Sequence, residues 1–182
     1  MNSASEVFDQ IVGSAGGKGF LYSGGSFSAI EVPGAIQTVP TGINNNGQIV
    51  GWFIDTSRNY HGFLDDSGNL TTIDIPGSRF TQAHGINDCG QIVLDFLGSD
   101  GYDHAVLDDG GTFTMINVPG ATYTFAEGIN NGGQIVGYLQ DAAGLHGFLA
   151  TPVAAVPEPR MFPVIAGCLL SLFTMVCRRK LA

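Results

Sequence analysis

The sequence is poor in charge, and poorest in positive charge. Charged residues make up 13% of its 182 residues, and only Lys18, Arg58 and Arg79 of its basic residues precede Glu158, where the last of 16 acidic residues stands. A surface this acidic repels phosphate backbones, which excludes nucleic acid as a partner. Cysteine is equally scarce: Cys89 stands alone, while Cys168 and Cys177 lie in an apolar tail, so neither a disulfide framework nor a metal-ligand spacing arises. No nucleophile, base and orienting acid follow a hydrolase motif, and no glycine-rich phosphate loop precedes a helix. The sequence therefore assigns no catalytic residue, metal ligand or cofactor, and an enzyme is not expected.

What the chain does have is glycine, 27 residues of it, with 8 prolines and 44% hydrophobic residues. Spread along the chain, these suit many short strands joined by turns, and the hydrophobic content is ample for a core. Val32-Pro33-Gly34, Ile75-Pro76-Gly77 and Val118-Pro119-Gly120 recur every 43 residues. Gly42-Ile43-Asn44, Gly85-Ile86-Asn87 and Gly128-Ile129-Asn130 keep the same interval, as do the Gln-Ile-Val triplets that begin at Gln48, Gln91 and Gln134. A period of this length indicates propellers, solenoids or arrays.

Each period reads as four strands. Gly62-Phe63-Leu64 opens one, matched at Gly19, Ala105 and Gly147; Ile73-Asp74-Ile75 and its equivalents alternate apolar and polar residues. A third strand closes on Gly-Ile-Asn and a fourth opens on Gln-Ile-Val, with an Asn- and Gly-rich reversal between them that calls for left-handed backbone angles. The expected fold is all-β: 43-residue four-stranded repeats, β-propeller-like, in an incomplete or open ring, because three full repeats are fewer than the usual four to eight blades. Ile43, Ile86 and Ile129 should be buried between repeats, with Ile30, Val32, Ile73, Ile75, Ile116 and Val118.

The pattern of His61-Gly62-Phe63, His104-Ala105-Val106 and His146-Gly147-Phe148, with Gly-Ile-Asn-x-x-Gly-Gln-Ile-Val-Gly at Gly42 to Gly51 and Gly128 to Gly137, resembles the bacterial extracellular HAF repeats over residues 19–150. The resemblance implies an exported repeat domain and transfers no activity. The middle copy has Leu94 where the others have Gly51 and Gly137, which suggests a local change of bend.

The tail carries a second signal. A spacer over 151–160 contains Val156, Pro157, Glu158 and Pro159; residues 161–177 are free of charge; and Arg178, Arg179 and Lys180 follow in a basic end, 178–182. As a helix the uncharged stretch would be about 26 Å long, near the lower limit for a transmembrane helix, with the basic cluster on the cytoplasmic side. This order resembles the PEP-CTERM sorting signal of Gram-negative bacteria that make extracellular polysaccharide. The resemblance implies that Pro157, Glu158 and Pro159 are recognised by an exosortase-type membrane peptidase. Arg178 to Lys180 would be the cytoplasmic stop, and the chain would be exported through an inner-membrane intermediate to the cell surface.

Export also calls for a leader, and residues 1–9 show neither a basic residue nor an apolar run. Gln10-Ile11-Val12-Gly13 matches Gln48-Ile49-Val50-Gly51, so residues 1–18 read as the remnant of an upstream repeat and the coding region is expected to extend upstream. Alternatively, the two ends of the chain would complete one shared blade.

Among candidate site residues, His61, His104 and His146 read as structural rather than ligating, since neighbouring blades hold them apart. Asp65, Asp66, Asp108 and Asp109 read as hairpin turns rather than calcium ligands. Trp52, Phe53, Tyr60 and Tyr123 are candidates for stacking on sugars. The expected role is structural or adhesive, in an extracellular polysaccharide setting, with a glycan-binding module as the alternative and a secreted enzyme third.

Overall fold

A computed structural model of the chain describes residues 10–152 and 173–176. They form only strands and turns. β1 (Gln10–Ala15), β2 (Lys18–Ser23) and β3 (Ser26–Ile30) make a three-stranded antiparallel sheet. The first blade follows, with β4 (Gln37–Ile43), β5 (Ile49–Ile54), β6 (Tyr60–Asp66) and β7 (Asn69–Ile73) in chain order. The second has β8 (Thr81–Ile86), β9 (Ile92–Leu97), β10 (Asp103–Asp109) and β11 (Thr112–Ile116). The third has β12 (Tyr123–Ile129), β13 (Ile135–Asp141), β14 (Gly144–Pro152) and β15 (Phe173–Val176).

The period and the strands are those the sequence predicts, but the blade starts elsewhere. A blade opens on the Gly-Ile-Asn strand, and the Pro-Gly turn carries the chain from the last strand of one blade to the first of the next. The shared blade is not formed: β14 pairs with β13 and β15, whereas β1 to β3 keep their own sheet.

The spacer from residue 153, with Val156 to Pro159, and the basic end with Arg178, Arg179 and Lys180 lie outside the described residues, as does most of the helix expected over 161–177. Phe173–Val176 falls within that span and is an antiparallel strand against Leu149–Pro152. There it satisfies backbone groups that the edge of β14 would otherwise leave open. Among the described residues no helix is long and apolar enough to cross a membrane.

Three apolar clusters fill the spaces between successive sheets. Ile30, Ile49, Phe53 and Phe63 join the first sheet to the first blade; Val50, Ile73, Ala83, Leu94 and Val106 join the first blade to the second; Val93, Leu107, Ala126, Ile135 and Phe148 join the second to the third. Ile86 is buried as expected, and Ile43 and Ile129 are half-buried against the outer clusters. Ile30, Ile73, Ile75 and Ile116 are buried; Val32 and Val118 are half-buried.

The same irregularity interrupts all three blades, at Pro40/Gly42, Ala83/Gly85 and Ala126/Gly128, but the backbone differs locally at Leu94, since a Cβ on Gly51 or Gly137 would collide with the carbonyl oxygen of Val39 or Phe125. Leu94 also takes part in a volume exchange. Gly13, Gly51 and Gly137 each pair across strands with a phenylalanine (Phe20, Phe63, Phe148), and a Cβ on any of them would lie 2.8–2.9 Å from that ring. Leu94 pairs with Val106, a smaller residue that leaves room for the larger partner.

The Asn-Gly reversals divide their labour. Gly47, Gly90 and Gly133 take the positive φ, while the asparagine before each turn acts through its side chain: Asn44 Oδ1 accepts the amides of Asn46 and Gln48, both at 3.0 Å. Its amide donates to Gln48 Oε1 at 2.8 Å and to Asn87 O of the next blade at 3.0 Å. Asn87 repeats this bond to Asn130 O at 3.2 Å, so a ladder with a 43-residue step ties the blades together along one rim.

Candidate functional site

The sequence-predicted histidines are held apart, each against a carboxylate of its own blade. His104 Nε2 lies 3.0 Å from Asp100 Oδ2 and His146 Nε2 lies 3.1 Å from Asp141 Oδ1. Among the described residues, no group of three or more His, Cys, Asp or Glu is placed to hold a metal ion. Asp65 and Asp108 accept the turn amides of Gly68 and Gly111, both at 2.7 Å, which is a hairpin role.

His61 differs from its equivalents because it lines a cleft. The β5–β6 hairpin, 55–59, meets the turn before β8, where Tyr60 N donates to Arg79 O at 3.0 Å. Between them opens a cleft of about 360 Å³ lined by Ser57, Asn59, His61, Ser78 and Arg79. Asp55 braces the hairpin behind it: Oδ1 accepts the amides of Ser57 and Asn59, both at 2.8 Å, and Oδ2 accepts Asn59 Nδ2 at 3.0 Å. These donors, with Asn59 first, hold the Asp55 carboxyl down at about 2. Arg58 then adopts a left-handed φ of 67° at the tip of the hairpin.

His61 Nδ1 is 2.9 Å from Asp74 Oδ1, and Nε2 is 3.4 Å from Asp55 Oδ2. Burial works against its charged form, but the two carboxylates outweigh burial and raise its pKa. Across the cleft, Ser78 Oγ lies 3.0 Å from Leu97 O and accepts the amide of Phe80 at 3.1 Å, which fixes the turn that presents Arg79. Arg79 is exposed and, among the described residues, makes no ion pair.

Two of the stacking candidates belong to this region. The rings of Trp52 and Tyr60 are 5.6 Å apart, and Tyr60 meets Phe80 at 4.7 Å, so an aromatic row crosses the blade junction on the face of β5 and β6 opposite His61. Phe53 is not available, being buried and stacked on His61 at 4.9 Å. Tyr123 belongs to another group, with Tyr102 at 5.3 Å and Phe125 at 6.5 Å. Asn59, Arg79 and Ser78 escape a reading of the sequence because none sits in a repeated motif. The signal that remained was the scarcity of cations: the hairpin and the turn carry two of the three found before Glu158, Arg58 and Arg79.

No protein-family model matches the sequence, and no curated protein matches it. Among solved structures the chain is similar to TolB from Acinetobacter baumannii, with a TM-score of 0.59 and 12% identity over 74% of this chain and 35% of TolB. It is also similar to the Aleuria aurantia lectin, described as a six-bladed β-propeller with a novel fucose recognition mode, at a TM-score of 0.44 and 16% identity. A mutant of that lectin in complex with alpha-methyl-L-fucoside gives 0.45 and 14%. Each lectin match covers 72% of this chain and 47% of the lectin. The chain thus spans about a third of TolB and about half of the lectin. With its four-stranded antiparallel sheets, it is an all-β module of the β-propeller type.

Proposed function

We infer that the protein is an exported adhesive module that holds extracellular polysaccharide at the cell surface and catalyses nothing. The observation that carries this reading is the cleft between the first and second blades. It gathers amide, hydroxyl and guanidinium groups (Asn59, Ser57, Ser78, Arg79) on an otherwise acidic chain, with the aromatic row of Trp52, Tyr60 and Phe80 on the other face of the same hairpin. Sugars present rims of hydroxyl groups that both donate and accept hydrogen bonds, and a cleft lined by amide, hydroxyl, imidazole and guanidinium groups meets them.

Affinity chromatography on a panel of polysaccharide resins tests the assignment. Retention that falls at least about tenfold in both Arg79→Ala and Asn59→Ala, with the thermal midpoint unchanged, supports it; equal retention of both variants refutes it.

Delivery belongs to the tail. An exosortase-type membrane peptidase recognises Pro157, Glu158 and Pro159, the apolar stretch over 161–177 holds the intermediate in the inner membrane in a state in which Phe173–Val176 has left the edge of β14, and Arg178, Arg179 and Lys180 keep its end cytoplasmic. The support for this is the order of those residues in the sequence. Mass spectrometry of the surface form decides it: the mature protein should lack Cys168 to Lys180, and alanine at Pro157, Glu158 and Pro159 should leave insertion intact while blocking processing.

A further inference from the structure

The repeat makes each position its own control, and among the described residues two of its faces are uncovered. The isoleucine of the Gln-Ile-Val or Gln-Ile-Val-like triplet packs against the preceding sheet. It is 5% exposed at Ile49, 3% at Ile92 and 0% at Ile135, but 60% at Ile11 in the first sheet. The following valine packs against the next sheet, and it is 0% exposed at Val50 and Val93 but 50% at Val136 in the third blade. Their neighbours agree. Phe27, Phe20 and Tyr22 gather beside Ile11, with ring centroids 5.5 and 4.9 Å from Phe27, and Phe27 is 72% exposed where its equivalents Leu70 and Phe113 are 38% and 37% exposed. Leu149, cross-strand partner of Val136, is exposed where its equivalent Leu107 is buried, and Leu145 is exposed on the same strand.

These faces are the two halves of one interface. The Ile11 face is equivalent to the surface that the first, second and third blades each turn backwards; the Val136 face is equivalent to the surface that the first and second blades turn forwards. Inside the chain, surfaces of these two kinds pack on each other at both junctions between blades. We propose that the Val136 face of one chain docks on the Ile11 face of a second copy, head to tail. The contact is heterologous, so it either closes or propagates. Two copies contribute eight sheets, within the range at which propellers close, and the expected product is a closed pair.

Native mass spectrometry of the full chain, Val136→Glu, Phe27→Glu and a mixture of the two variants tests this. A species of twice 19.0 kDa is expected for the parent chain. Each variant alone should lose it, because neither then has an intact junction. The mixture should regain a mixed pair, since the Phe27→Glu chain keeps its Val136 face and the Val136→Glu chain keeps its Ile11 face. A monomeric parent chain overturns the proposal, whether the faces stay open or another segment covers them. So does a Phe27→Glu variant that still pairs with itself, which would indicate like faces meeting. A ladder of larger species in the parent that both variants abolish supports the contact and overturns its closure.

Discussion

The second and third blades share their motifs, yet among the described residues only the second of these two is enclosed on both sides. Val93 is buried where Val136 is exposed, and Asn87 is buried and passes a hydrogen bond to the next blade where Asn130 is exposed. The residues are alike; what differs is whether a neighbour is present. The apolar code of this repeat therefore specifies junctions rather than a core for each blade, as in other arrays whose stability is a sum of unit and nearest-neighbour contributions.

The comparison is tested most severely at one repeat position with two environments. Ile92→Ala should cost about 2–5 kcal/mol, because the methyl groups leave a void between two blades, whereas Ile11→Ala should stay within about 0.5 kcal/mol. Urea midpoints measured at a concentration too low for self-association check both. Equal losses would mean that the outer sheet is covered after all.

The volume exchange at Leu94 and Val106 offers a second test, within the enclosed blade. Leu94→Gly alone removes a fully buried side chain, and Val106→Phe alone overfills its site at a cost of about 1–3 kcal/mol. Together they rebuild the pair found at Gly51/Phe63 and Gly137/Phe148. The double variant should be more stable than the sum of the single losses by about 1 kcal/mol or more in a double-mutant cycle.

Much of this architecture is legible in the sequence, because the markers of the repeat are also its structural joints. The Pro-Gly turns, the Gly at each reversal and the apolar alternation before each proline hold their places in the fold. The starting point of a blade is not legible, since a period is circular and the choice rests on which strands share a sheet. The site is harder still. Arg79 and Asn59 meet only because the β5–β6 hairpin lies beside the turn of the next blade, a contact that no periodicity announces. Asp95 is hidden for a related reason: it occupies the position of Trp52 and Tyr138, so only the blade beyond it explains a buried carboxylate.

A smaller contrast is expected on the rim. Asn87→Ala removes a buried side chain that bonds Gln91 Oε1 at 2.9 Å and Asn130 O at 3.2 Å, and it should cost about 1–3 kcal/mol. Asn130→Ala, at an exposed rung, loses turn bonds that water can replace, and a cost near 0.5 kcal/mol is expected. Thermal midpoints of the two variants would rank them, and a larger loss at Asn130 would dissolve the distinction between enclosed and open blades.

The last contrast is one of pH, and it uses the carboxylate that the second junction encloses. Asp95 Oδ1 accepts the amide of Ala126 at 2.9 Å, and its Oδ2 lies 3.0 Å from His84 Nε2, out of line for a hydrogen bond. Burial outweighs the help of His84 and the Ala126 amide, so the pKa of Asp95 is raised above its ordinary 3.8. A raised carboxyl binds more protons in the folded state than in the unfolded one. Its contribution to stability is therefore complete below 3.8 and is lost as pH rises through the elevated folded value. Asparagine keeps an oxygen for the Ala126 amide and carries no charge to bury. As pH rises above the ordinary 3.8, the stability of Asp95→Asn should accordingly improve relative to the parent chain. Asp103 and Asp108 are raised by burial too, but they are common to both proteins and cancel in the difference. If the parent instead gains on the variant over this range, the attraction of His84 governs Asp95, and the junction between the second and third blades is held by an ion pair rather than burdened by an enclosed charge.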